Sequence, residues 1–218
     1  MVASREEAER ETRFRILGTQ LREGRLISDS VFDDVYPLDV RAVSSSFWTP
    51  VAVAVRAADL LVSGKNDRIL DVGSGVGKFC IVGAASTKGA FVGLEQRKRF
   101  VRVAEEAKRQ VGARSASFIT GSFDAVDAAD FDGIYFFNPF EENLWGKETR
   151  LDESVELSER RYYADIEAAK SLLERTRVET RVVTYHGFGG DMPPSFELVL
   201  TEKHHTDKLE LWIKREAR

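Results

Sequence analysis

The chain has 218 residues, 43% of them hydrophobic, enough apolar surface for the core of one α/β domain with an added segment. Lysine and arginine number 32 against 36 acidic residues, a net of -4, which argues against a broadly basic nucleic-acid surface while leaving room for a local patch. A single cysteine, Cys80, rules out an internal disulfide, and no run approaches the roughly 18 apolar residues that a membrane-crossing helix needs.

Residues 4 to 22 carry Glu and Arg at close spacing around a thin apolar stripe of Phe14, Ile16, Leu17 and Leu21, which predicts a surface helix frayed at its start. The stretch is charged from Arg5 onward without an apolar leader-like run, so a cytoplasmic protein is expected. From Leu26 to Ser46 the pattern is irregular, with Tyr36-Pro37 and Ser44-Ser45-Ser46 marking loop, and a cap over a site is the expected role. Residues 1–46 thus form an N-terminal helix and cap segment, and 47–218 the main domain. Thr49 suits a helix N-cap and Pro50 the first helical position of an apolar helix over 51–62.

The sequence RILDVGSGVGK, 68 to 78, organises the rest. Ile69, Leu70 and Val72 read as a buried parallel strand that stops at Gly73, Gly75 and Gly77, where the backbone turns tightly and a ligand can approach the main chain. A phosphate loop, Gly-x4-Gly-Lys-Ser/Thr, would need glycine where Val72 stands and a hydroxyl where Phe79 stands. A dinucleotide fingerprint would need its third glycine at Lys78. Asp71 at the strand's end sits badly beside a pyrophosphate but suits a ligand carrying an ammonium or sulfonium charge.

Strand and helix then alternate: a helix over 76–87, a strand over 90–95, a helix over 98–111 with Arg97 and its neighbours solvated, and a strand over 116–120. Glu95 ends its strand at the place where a carboxylate accepts hydrogen bonds from both hydroxyls of a ribose. Cys80 falls inside the first of these helices as a small buried hydrophobe. After the third strand comes Gly121-Ser122-Phe123-Asp124; in a doubly wound fold this loop borders the base of a bound nucleoside, which would let Phe123 pack on an adenine and Ser122 or Asp124 bond its amine. The fourth strand, 131 to 137, delivers Asn138-Pro139-Phe140 to its carboxyl end. A charged loop or lid over 141–161, a helix over 158–175, a strand over 181–188 and two strands around His204-His205 complete the pattern, the last two as an antiparallel hairpin. The fold expected is α/β, a doubly wound, mostly parallel Rossmann-like sheet ending in that hairpin.

The motif Asp-x-Gly-x-Gly-x-Gly after an apolar strand resembles motif I of class I S-adenosylmethionine-dependent methyltransferases, and the resemblance runs from about residue 47 to the end. Locally, DVGSGVGK, GLE at 93–95, TGSF at 120–123 and FFNPF at 136–140 are similar to the DOT1-type lysine methyltransferase catalytic domain, where a threonine matching Thr49 contacts the cofactor's amino-acid end. Ser122 stands where that family has aspartate, and a basic nucleosome-binding tail is missing, which argues against a histone substrate. Asn-Pro-Phe is also similar, less one proline, to the Asn-Pro-Pro-aromatic motif of enzymes that methylate planar amides and amines.

The resemblance implies S-adenosyl-L-methionine as cofactor, held by Thr49, Asp71, Gly73, Gly75, Gly77, Glu95, Ser122 and Phe123. It implies methyl transfer, to nitrogen of a protein or small-molecule acceptor, with Asn138 orienting an N–H and Phe140 walling the methyl channel. His186, at the end of the fifth strand, is a candidate proton acceptor. His204-His205 has no companion ligand at metal spacing, so no metal is expected. A catalytically silent S-adenosylmethionine binder shares every cofactor residue, and a nicotinamide-dependent oxidoreductase shares the turn and Glu95 but would need the third glycine that this chain replaces with Lys78.

Overall fold

The computed structural model describes residues 2–41, 48–146, 154–204 and 207–216. The expected loop marker Ser44-Ser45-Ser46, the middle of the expected lid (147–153) and His205 of the expected hairpin turn lie outside the described residues.

A seven-stranded sheet runs in the order β3-β2-β1-β4-β5-β7-β6. Its strands are β1 (Arg68–Val72), β2 (Ala90–Glu95), β3 (Ala116–Thr120), β4 (Gly133–Phe137), β5 (Arg181–Tyr185), β6 (Phe196–His204) and β7 (Asp207–Lys214). Strands β1 to β5 pair parallel, while β7 pairs antiparallel with both β5 and β6. This is the doubly wound sheet with a terminal hairpin that the alternating pattern predicts. The chain winds outward through β1, β2 and β3, then returns to the other side of β1, so the carboxyl ends of β1 and β4 part and leave a crevice between them. Among the described residues no helix is long and apolar enough to cross a membrane.

Among the described residues seven α-helices flank the sheet: α1 (Val2–Arg22), α2 (Asp29–Phe32), α3 (Leu38–Arg41), α4 (Val51–Leu61), α5 (Lys78–Ser86), α6 (Lys98–Val111) and α7 (Glu159–Glu174). Local chemistry fixes their ends. Helix α5 starts at Lys78, two residues later than its apolar pattern suggests, because Gly77 sits in the left-handed region at φ 77°. Helix α7 starts where the Ser158 hydroxyl accepts the Arg161 N–H at 3.2 Å. Strand β4 begins at Gly133, not at Phe131, since Ala128–Asp130 forms a 3-10 turn closed by Asp127, whose side chain accepts the Ala129 N–H. Strand β5 ends at Tyr185, before His186 and Gly187 turn the chain at φ 59° and 66°.

The expected cap at Thr49 is corrected. Pro50 occupies the N-cap position of α4, and the first helical amide, that of Val51, is satisfied by Asp29 Oδ1 at 2.8 Å. The carboxylate comes from 22 residues upstream. Thr49 is buried, and its hydroxyl lies 3.1 Å from the Tyr135 hydroxyl in the core.

The N-terminal segment is not a loosely attached surface helix. Phe14, Leu17 and Leu21 are buried in the same hydrophobic cluster as Val51, Ala54, Ile69 and Val111, and each such side chain contributes about 1.5 to 3 kcal/mol relative to exposure. Ile16, expected on the apolar stripe, is half exposed. Gly18 lets α1 approach α6 closely, since a Cβ there would lie 2.2 Å from the Val111 carbonyl oxygen.

Candidate active site

A cavity of about 500 Å3 opens over the carboxyl ends of β1, β2, β4 and β5, within the roughly 300 to 1,000 Å3 range of small-molecule sites. Its floor is the glycine turn. Gly73, at φ 73°, allows the Asn138-Pro139 turn to close against it, for a Cβ there would meet the Pro139 Cβ at 2.8 Å. Gly75, at φ 53°, has nothing within 4 Å of where its Cβ would stand, and it lines the cavity, so this backbone is the part open to a ligand. Gly77 faces the other way, where a Cβ would strike the Phe118 ring at 2.4 Å; its smallness serves helix-to-sheet packing.

Glu95 binds the turn from the neighbouring strand. Its Oε2 accepts the Gly75 N–H at 3.0 Å and its Oε1 accepts the Arg97 N–H at 2.8 Å, so each oxygen keeps a lone pair for a further donor. The group is 7% exposed and lines the cavity. Burial raises its pKa above the ordinary carboxylate value, against the lowering influence of the two backbone donors and the Arg97 charge.

Asp71 has a different environment. Its carboxyl is buried behind the turn, where Oδ2 accepts the Cys80 thiol at 3.4 Å, and it is the next residues, Val72 and Gly73, that line the cavity. Burial pushes Asp71 up to about 7, the Glu95 charge adds to this, and the thiol hydrogen bond offsets part of it. Thr49, held by Tyr135, likewise stands behind the wall that its neighbours Trp48 and Pro50 present.

Ser122 and Phe123 line the side of the cavity beyond Glu95, with the Phe123 ring centroid 6.0 Å from that of Phe140. Phe140, 5% exposed, stands between this side and the β4 turn. Asn138 lines the cavity at φ 41°, donates its backbone N–H to the Gly187 carbonyl at 2.9 Å and donates from Nδ2 to Glu141 Oε2 at 2.5 Å. Its neighbour across the sheet, His186, also lines the cavity in a left-handed conformation. Two adjacent strands therefore end in non-glycine residues at positive φ, a conformation that costs of order 1 to 3 kcal/mol per residue and clusters at functional sites.

Three features went unread in the sequence. Arg97, expected in solvent, is 8% exposed and pairs with Glu142 at 2.9 Å on the cavity wall. Asn143, within the expected lid, is buried and donates to the Phe140 carbonyl at 3.1 Å and to Asp165 at 3.4 Å, so the start of that segment is nailed to α7. Lys78 is 4% exposed and pairs with Asp29 at 2.6 Å and Asp33 at 2.7 Å. The lysine of Gly-Val-Gly-Lys is engaged by the N-terminal segment and does not line the cavity. Among the described residues no group of three or more His, Cys, Asp or Glu could hold a metal ion.

The profile of the methyltransferase-domain family matches residues 63–177, just over half of the chain and the whole run from the approach to β1 through α7. The chain belongs to that family. It is a class I S-adenosylmethionine-dependent methyltransferase, and the open turn at Gly75 and the buried acceptor at Glu95 fit that cofactor. No curated protein matches this methyltransferase by sequence. Among solved structures it is similar to an RNA methyltransferase from Salinibacter ruber in complex with S-adenosyl-L-homocysteine, with 20% identity, TM-score 0.58, and 78% of this chain and 95% of that chain covered. A putative O-methyltransferase from Klebsiella pneumoniae gives 16% identity, TM-score 0.57, and 94% and 99% coverage. TrmN from Thermus thermophilus gives 16%, 0.55, and 82% and 53%. Likeness at these identities establishes the fold, and it sets the nicotinamide alternative aside together with the family match.

Proposed function

We propose that this methyltransferase transfers the methyl group to a nitrogen of a protein side chain or small molecule that reaches the site as a cation. The observation that carries this is the make-up of the cavity's β4–β5 end: Trp48, Phe137 and Tyr185 line the same cavity as Glu141, whose carboxylate accepts from Asn138 Nδ2. Aromatic faces and a nearby carboxylate favour an ammonium over a neutral hydroxyl or an anion.

In this reading Gly73 and Gly75 present main chain to the cofactor, Glu95 accepts its ribose hydroxyls, and Ser122 and Phe123 border its adenine. The bound cofactor supplies an electrophilic methyl group. The protein's own part is to place the nitrogen in line and exclude water, work that needs few reactive side chains. Asn138 retains its side-chain carbonyl to accept an N–H while its amide is engaged by Glu141, and Phe140 walls the space between donor and acceptor.

The test is transfer of label from S-adenosyl-[methyl-3H]-methionine to three panels: primary amines including phenethylamine and lysine methyl ester, peptides, and RNA. Label recovered as N-methyl product on amines or on peptide lysines is the expected result. Label confined to RNA or to oxygen overturns it. The RNA panel matters because a second groove, between α1, α3 and α6, carries Arg10, Arg13, Arg41, Arg99 and Arg102 alongside Asp34 and Glu106, with Arg13 and Arg41 paired to Asp34 and Arg99 to Asp39.

A further inference from the structure

We propose that His186 is the proton acceptor of the reaction and that Asp207, from the start of β7, is its positioning residue. The proposal rests on the amine reading above.

The geometry is specific. His186 Nδ1 lies 2.5 Å from Asp207 Oδ2, and strand register brings the two together, since β7 runs antiparallel to β5 with Tyr185 opposite Leu209. The ring is further fixed by Tyr185, edge-on at 4.5 Å between centroids, and by Phe137 at 5.4 Å. A carboxylate on one ring nitrogen sets the tautomer: Nδ1–H donates to Asp207, and Nε2 carries the lone pair. His186 is 33% exposed, and its other open surroundings are the cavity it lines. The groups that share this environment are Asp207, the Tyr185 phenol and, across the β4 turn, Glu141. Asn138, whose amide is tied to Gly187, stands beside it at the same level.

The chemistry requires such a group. An ammonium has no lone pair, so one N–H bond must break before or during transfer. Its electron pair stays on nitrogen and the proton goes to His186 Nε2. That pair then forms the bond to the methyl carbon as the carbon's bond to the sulfonium sulfur breaks, and the sulfur keeps the pair as a neutral thioether. The imidazolium returns its proton to water.

Two measurements test this with the full chain. In the first, phenethylamine methylation is followed for wild type, His186→Gln and Asp207→Ala, with S-adenosylhomocysteine affinity measured by calorimetry. Both variants should bind that ligand within about twofold of wild type, while the rate near pH 7 falls on the order of a hundred-fold in His186→Gln and about tenfold in Asp207→Ala. The His186→Gln deficit should shrink at least about tenfold toward pH 10, which approaches the aliphatic ammonium pKa of about 10.4, so that roughly a quarter of the amine is already free base there against less than about a thousandth at pH 7. A merely structural histidine would give a deficit that does not depend on pH, and that result overturns the proposal.

The second measurement is independent of the acceptor: ring 15N shifts should report the Nδ1–H tautomer at His186 in wild type and its loss in Asp207→Ala. An unchanged tautomer in that variant overturns the dyad. If wild type methylates no amine while the tautomer responds as expected, the amine reading and the proton role fall and the dyad's geometry stands.

Discussion

Gly75 donates its backbone N–H to Glu95 Oε2 across 3.0 Å, joining the glycine turn after β1 to the acid that ends β2. The two motifs proposed to hold the cofactor are thus one hydrogen-bonded unit, and a change at either is felt at both.

Glu95→Gln should accordingly weaken S-adenosylhomocysteine binding by about 1 to 3 kcal/mol, because the amide that replaces one oxygen points a donor at a backbone donor and also removes the charge. Gly75→Val should abolish measurable binding, since the residue must adopt a left-handed φ and fill the open space beside Gly75. Calorimetry that finds wild-type affinity in both variants would remove the cofactor assignment from this turn.

Asp71 predicts a pH dependence. Its pKa in the fold is about 7, well above the ordinary carboxylate value, so between those values the folded state holds more protons than the unfolded state, and stability declines as pH rises through that window. Asp71→Asn removes the ionisation with little change of shape. The variant should gain melting temperature relative to wild type at about pH 8 and lose that gain near pH 4, where both are neutral. A constant difference across the series would show that Asp71 is not buried as described.

Lys78 offers a stability test. It is almost fully buried against Asp33, itself 6% exposed, and removing one partner of such a pair strands the other charge. Lys78→Met should cost about 3 to 5 kcal/mol in urea unfolding, and Lys78→Met with Asp33→Asn should recover part of it. An unchanged midpoint in the single variant would mean that the N-terminal segment is held by its apolar contacts alone.

Asn138 separates backbone from side chain. At φ 41° glycine is at ease and alanine is strained, so Asn138→Ala should lose about 1 kcal/mol of stability or slightly more that Asn138→Gly does not. Both should leave cofactor affinity within a few-fold and reduce turnover of the accepted amine on the order of a hundred-fold, if the carbonyl acts in the transition state. Full turnover in Asn138→Gly would assign the acceptor's orientation to other groups.

The sheet and the glycine turn after β1 were legible because their signals are local. An apolar run, alternate glycines and an acid at the next strand's end are each confined to a few residues, and parallel packing forces them together. Element ends were less legible where the deciding group is remote. Nothing near Thr49 announces that Asp29 caps α4, and nothing near Arg97 announces Glu142, 45 residues later. The fifth strand read three residues too long because β-branched and aromatic residues continue through RVVTYHGF to Phe188, and the positive φ at His186 and Gly187 ends it. Asp207 as a partner for His186 depended on the register of an antiparallel pair, which the hairpin's composition does not specify.

Asp29 accepts from the Val51 amide at the start of α4 and from Lys78 at the start of α5, and so fastens the acceptor wall and the cofactor turn to the same early residue. Helices that share a pin of this kind loosen together. Local opening is cheaper than melting the sheet, so any release of the N-terminal segment before global unfolding would undo both halves of the site together. Heat inactivation of this enzyme would then precede loss of its β-sheet signal, and a half-life measured by activity would report the seating of its first forty residues.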